Sequence, residues 1–256
     1  MKPITSQLKQ AFHPIDSIEE RLQLLKNKYK DETAYVVTCG PSLSKHDLNI
    51  LKSKLKNKLV ICIKQAQNVL EEETDFHLLN TYNLSQYNWN PNTIVYWSLS
   101  KSYANEQLQR IINTGSNIDL YIPVINPPFI DYSQTIQSTC NFEDFHMMET
   151  HTEVKLGVGM MYEMAIPLIL LLGCKKVISI GWDLGDPQTS TKKWDHFYKN
   201  EVNKVTKPMN GEIKEKLKST EKLYDWFISK GIDFKIISDK SFVSPKFPRI
   251  TLNDIK

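Results

Sequence analysis

Two short apolar runs one helix apart constrain the fold more than any other feature of this chain. Ala34–Thr38 reads AYVVT and Leu59–Ile63 reads LVICI, and the residues between them, His46–Leu55, carry helical spacing. A strand, a helix and a strand within about 30 residues form a βαβ unit, whose crossover makes the strands parallel. The pattern continues with strands expected near Phe76–Leu79, Thr93–Ser98, Leu120–Pro123, Lys176–Ile180 and Asp233–Ile237. Helices are expected over Ser17–Tyr29, Tyr103–Asn113, Gly157–Gly173 and Glu212–Lys230, the first opened by a Ser-x-x-Glu capping box. Pro167 predicts a kink within the third of these. This order predicts an α/β fold: a Rossmann-like, mostly parallel doubly wound sheet with helices on both faces and a lid-like insertion.

The chain of 256 residues is expected to form a single domain over 1–256, with residues 124–150 and 184–209 as lid or acceptor loops. Nine glycines and twelve prolines leave no room for a collagenous or linker-rich chain. Lys+Arg minus Asp+Glu is 32 − 29 = +3, and only Arg21, Arg110 and Arg249 supply guanidinium groups, which argues against a nucleic-acid partner. The four cysteines, Cys39, Cys62, Cys140 and Cys174, form no CxxC pair, as expected of buried thiols in a reducing compartment. The opening MKPITSQLKQAF has no apolar signal-peptide core, and the apolar run Met164–Cys174 is too short to span a bilayer. A cytoplasmic location without an integral membrane segment is expected.

Parallel sheets bind ligands outside the carboxyl ends of their strands, which singles out the loops 38–44, 63–68, 80–90, 124–157 and 181–200. In Thr38-Cys39-Gly40-Pro41-Ser42-Leu43, Gly40 permits a sharp turn, Pro41 suits a first helical position, and the Ser42 hydroxyl can meet a phosphate. The same residues also describe a plain strand-to-helix turn. Lys155-Leu156-Gly157-Val158-Gly159 starts the apolar helix with two glycines and a cation; it reads as an anion site or as a close-packing device. Asp183, in Gly181-Trp182-Asp183-Leu184-Gly185-Asp186, can hold a ribose hydroxyl, share Mg²⁺ with Asp186, or form an Asx turn. In Trp194-Asp195-His196-Phe197-Tyr198, His196 reads as a general base or a packed histidine, and Tyr198 as a phosphate donor. Asn80, after FHLL, reads as a base or sugar contact or as a turn residue. The chain contains no GxSxG elbow, no HExxH and no DxD, so serine hydrolases and zincins are not first choices.

The CGPSL turn, the IKQAQ segment after the second strand, the HLLN strand end and the block KLGVGMMYEMAIPLILLLGCKKVISIGWDL occur in this order. Together they resemble the bacterial sialyltransferases of glycosyltransferase family 42 and the related 6-hydroxymethylpterin pyrophosphokinase-like domains, over residues 34–85 and 150–240. The sialyltransferase likeness implies that Gly40, Pro41, Ser42, Asn80, Gly159, Gly181 and Asp183 bind a CMP-linked donor. Lys64, with Gln65 beside it, stands where that family has its first Asn, and Gly157-Val158 replaces a hydroxyl-bearing pair. The family's base, a His before the last helix, is matched here by Pro208-Met209-Asn210, which leaves His196 as the nearest upstream histidine. Tyr198 substitutes for the family's phosphate-binding Tyr pair.

The resemblance thus implies a glycosyltransferase that takes a nucleotide-activated, sialic-acid-like sugar in surface glycan or lipopolysaccharide biosynthesis. His196 would accept the acceptor's proton, and Lys155, Gly157, Gly159 and Tyr198 would stabilise the departing phosphate without a metal or other cofactor. Its partners would be a nucleotide-sugar donor and a glycan acceptor, with peripheral membrane contact. The related pyrophosphokinase family implies an alternative, Mg–ATP-dependent diphosphotransfer with Asp183 and Asp186 as metal ligands. A non-catalytic nucleotide-binding member is the third reading.

Overall fold

The computed structural model describes residues 3–80, 86–100, 118–125, 154–155, 160–184, 197, 212–238 and 241–256. The elements are α1 (Pro3–Phe12), α2 (Ile18–Leu25), β1 (Thr33–Val37), α3 (Leu48–Leu55), β2 (Leu59–Ile63), α4 (Ala66–Val69), β3 (Phe76–Leu79), β4 (Ile94–Ser100) and β5 (Leu120–Ile125). They continue with β6 (Val154–Lys155), α5 (Ile166–Leu172), β7 (Lys176–Ile180), α6 (Glu212–Ser229) and β8 (Asp233–Ile237). A 3₁₀ turn, Pro41–Lys45, follows β1, and a π turn, Met161–Ala165, precedes α5.

The described strands form one sheet of eight in the order β6-β5-β4-β3-β2-β1-β7-β8, and every pairing is parallel. The fold is the doubly wound α/β arrangement expected from the βαβ spacing. Alternation along the strands feeds two cores. Ala34, Val36, Leu59, Ile61, Phe76 and Leu78 face α1, α2, α5 and α6, while Tyr35, Val37, Val60 and Cys62 face α3. Leu51 and Leu55 of α3 are fully buried on that second face, each contributing about 1.5–3 kcal/mol by leaving water.

Local chemistry sets the helix ends. Ser17 caps α2 by accepting the Glu20 amide at 3.3 Å, the serine half of the expected capping box, and its hydroxyl donates to Glu19 at 2.9 Å. Asp47 caps α3 through the Asn49 and Ile50 amides, so this helix starts two residues after His46. Gly173 closes α5 with φ +82°. The apolar helix expected as one piece over Gly157–Gly173 is divided in its described part: Pro167 has no N–H for the Glu163 carbonyl four residues back, and there the helix adopts a π turn, with the Ile166 amide bonded to the Met161 carbonyl. Lys155, expected at the start of that helix, has its backbone in β6, paired with β5. Helix α1 was not anticipated.

The expected helix Tyr103–Asn113, and residues 126–150, 185–196 and 198–209 of the two expected loops, lie outside the described residues. Cys39, Cys62 and Cys174 are buried free thiols, and burial pushes Cys39 up to about 11 and Cys174 to about 12, so both stay protonated near neutrality. No helix among the described residues is long and apolar enough to cross a membrane.

Candidate functional site

The sheet order reverses direction between β1 and β7. From β1 the chain lays strands outward to β6 on one side, then returns to add β7 and β8 on the other. The carboxyl ends of two strands that part in this way bound a crevice where α/β sheets take their ligands. Here that switch point falls at residues 38–45 and 181–184, where the rule expects the crevice.

These two loops are bonded to each other at short range. The Thr38 amide donates to the Ile180 carbonyl at 2.8 Å and the Gly40 amide to the Gly181 carbonyl at 3.0 Å, which also accepts the Thr38 hydroxyl. Two glycines permit the contact. A Cβ at Gly40 would lie 2.1 Å from the Gly181 oxygen and 2.5 Å from Asp183 Oδ2, and Gly181 itself has φ +77°.

Asp183 is the centre of the contact. Its carboxylate, 1% exposed, accepts the Ser42 amide on Oδ2 at 2.7 Å; on Oδ1 it accepts the Ser42 hydroxyl at 2.7 Å and the Ser238 hydroxyl at 2.5 Å. Burial raises its carboxyl above the usual range, opposed by these bonds and by the Lys45 charge. The Asp183 carbonyl accepts the Phe242 amide at 2.8 Å. One buried carboxylate therefore joins the segments that follow β1, β7 and β8. Three hydrogen bonds from within the chain hold its oxygens, and Asp186, the second residue of the alternative Mg²⁺-ligand pair, lies outside the described residues.

The turn after β1 is likewise committed inward. The Gly40, Ser42 and Leu43 amides donate to Gly181, Asp183 and Gly40 respectively. Pro41 begins the 3₁₀ turn as expected. The missing Cβ of Gly40 thus serves the approach of β7, and the expected phosphate cradle has no such free amide at these three positions.

Lys64 and Gln65 lie at the end of the neighbouring strand β2. Lys64 has φ +50°, and its carbonyl accepts from His77 Nε2 at 3.1 Å. Gln65 donates through Nε2 to Gln86 Oε1 at 2.8 Å, and the Cys39 thiol donates to the Ile63 carbonyl at 3.1 Å, linking this patch to the turn after β1. His77 is 1% exposed, ringed by Tyr87 and Trp89, and burial lowers it to about 4. Asn80 is half-buried just past β3, one strand further along. The Lys155 backbone, on β6, is separated from β1 by four strands, on the order of 24 Å at the usual strand spacing. The structure therefore groups Gly40, Pro41, Ser42, Gly181 and Asp183, sets Lys64 and Gln65 beside them, and leaves Lys155 at the far edge.

Gly157, Gly159, His196 and Tyr198 lie outside the described residues. Phe197, between the last two in sequence, donates its amide to the Cys39 carbonyl at 3.0 Å and packs on the α3-side core. Sequence reasoning missed Ser238, although it follows β8 as Thr38 follows β1, and the carboxyl-end rule would have found it. It also passed over Glu163, a carboxylate 3% exposed in the π turn.

A family model described as 6-hydroxymethylpterin diphosphokinase MptE-like matches residues 9–189. That span takes in the turn after β1, Lys64, Gln65, Asn80, the π turn and Asp183. No curated protein matches the sequence.

Proposed function

The chain belongs to the 6-hydroxymethylpterin diphosphokinase MptE-like family, and from that premise we propose that it is a diphosphotransferase working at the β1/β7 crevice. In this reaction the hydroxyl oxygen of a hydroxymethyl heterocycle attacks the β-phosphorus of Mg–ATP. The bond from that phosphorus to the α,β-bridging oxygen breaks, AMP leaves, and the hydroxyl proton passes to a base. Mg²⁺ enters with the nucleotide as substrate. The family match across residues 9–189, enclosing the crevice, is the observation that carries this reading.

The chain's own contribution is positioning, the main demand of phosphoryl transfer. Asp183 holds the segments after β1, β7 and β8 as one rigid floor, leaving Lys64 and Asn80 at the ends of the next two strands to meet the nucleotide. The anchoring of Phe197 on Cys39 supports a role at this floor for the flanking His196, as the base, and Tyr198. Glycosyl transfer from a CMP-linked sugar is the second reading, favoured by the ordered CGPSL, IKQAQ, HLLN and GWDL segments.

A thermal-shift panel of ATP and CMP, each with and without Mg²⁺, separates the two. A ligand at about 100 times its Kd stabilises by about 2.7 kcal/mol. Diphosphotransfer predicts a shift with ATP that requires Mg²⁺. A metal-independent shift with CMP alone would contradict it and select glycosyl transfer.

A further inference from the structure

The β1/β7 switch point lies at the carboxyl ends of the strands. At the opposite end of the sheet is a cavity of about 550 Å³, bounded by the C-terminal half of α3, by α1, and by the segments that precede β3 and β4. Every described residue lining it is polar or charged. A nucleobase, a fused heterocycle or an acyl chain calls for an apolar or aromatic wall, and these residues supply none.

Lys52 and Lys56 both line the cavity, one helical turn apart on the same side of α3. Lys54, between them in sequence, donates to the Ile255 carbonyl at 2.8 Å, whereas neither Lys52 nor Lys56 has a side-chain partner among the described residues. Glu72 lines the same cavity and pairs with neither lysine. Opposite charges that share a cavity without meeting leave room for a molecule that engages both. Ser53, Asn57 and Asn92 bring a hydroxyl and two amides to the lining, and these side chains also have no hydrogen-bond partner among the described residues. Glu73 and Asp75 add negative charge to the wall, so a bare anion gains little here. What complements the whole set is a molecule with an anionic end and a hydroxyl-rich body.

We propose that this cavity binds a phosphorylated sugar. The phosphate meets the ammonium groups of Lys52 and Lys56, each acting as a point charge. The sugar hydroxyls donate to Glu72 and exchange hydrogen bonds with Ser53, Asn57 and Asn92. The site lies at the other end of the sheet from the switch point, and its assignment does not depend on the diphosphotransfer reading.

Calorimetric titration of the full chain tests this, with glucose 6-phosphate and ribose 5-phosphate as probes and with glucose, ribose and inorganic phosphate as controls. The expected result is that at least one sugar phosphate binds, with its parent sugar and inorganic phosphate each weaker by about ten-fold or more. The double variant Lys52→Ala/Lys56→Ala should lose that binding by a similar factor. If the double variant does not fold, Lys56→Ala alone, at an exposed position, decides. Inorganic phosphate binding as tightly as the sugar phosphate reduces the site to a charge patch and overturns the proposal. Affinity unaltered by the lysine substitutions places the bound molecule elsewhere and overturns it too, as does failure of both sugar phosphates to bind at millimolar concentration.

Discussion

Asp183 accepts three hydrogen bonds from within the chain, two of them from Ser42. Asparagine keeps the shape but presents NH₂ where Oδ1 or Oδ2 now accepts, so Asp183→Asn leaves at least one buried donor unpaired. We expect chemical denaturation to show a loss of about 1–3 kcal/mol, the cost of an unsatisfied buried group; unchanged stability would mean the contact is dispensable. His77 gives a pH signature. Its folded value of about 4 lies below the ordinary 6.5, so the unfolded chain binds the proton more readily. Stability is full above pH 6.5 and falls as the pH drops toward 4, by roughly 2 kcal/mol between pH 7 and pH 5. His77→Gln should flatten that part of the profile, and a profile unchanged by the substitution would rule His77 out as its source.

At the scale of elements, strands β2, β3, β7 and β8 occupy the residues expected from apolar runs and flanking turns, because a doubly covered parallel strand is a continuous apolar segment. Helix α1 went unread, although Ile4, Leu8 and Phe12 stand at i, i+4, i+8 spacing. Strand β6, two residues long, carries no period to read. The π turn is a backbone register change, and sequence signals it only through Pro167. Asp47→Ala removes the acceptor of the Asn49 and Ile50 amides at the start of α3. It should cost about 1 kcal/mol, read as a lower denaturation midpoint at unchanged slope. A null effect would show that α3 is held by Leu51 and Leu55 alone.

For the whole molecule, the carboxyl-end rule found Gly40, Ser42, Gly181 and Asp183 in the sequence, but not that they bond to one another. That depends on β7 returning to lie beside β1, 143 residues separating Thr38 from Gly181. The same return makes the crevice, and the account stands on group transfer occurring there. ³¹P spectra of the chain incubated with Mg–ATP and a 6-hydroxymethylpterin test this most directly. The account predicts AMP and a new diphosphate ester growing in equal amounts, with no ADP. Formation of ADP, or an ATP spectrum unchanged by the heterocycle, would contradict it.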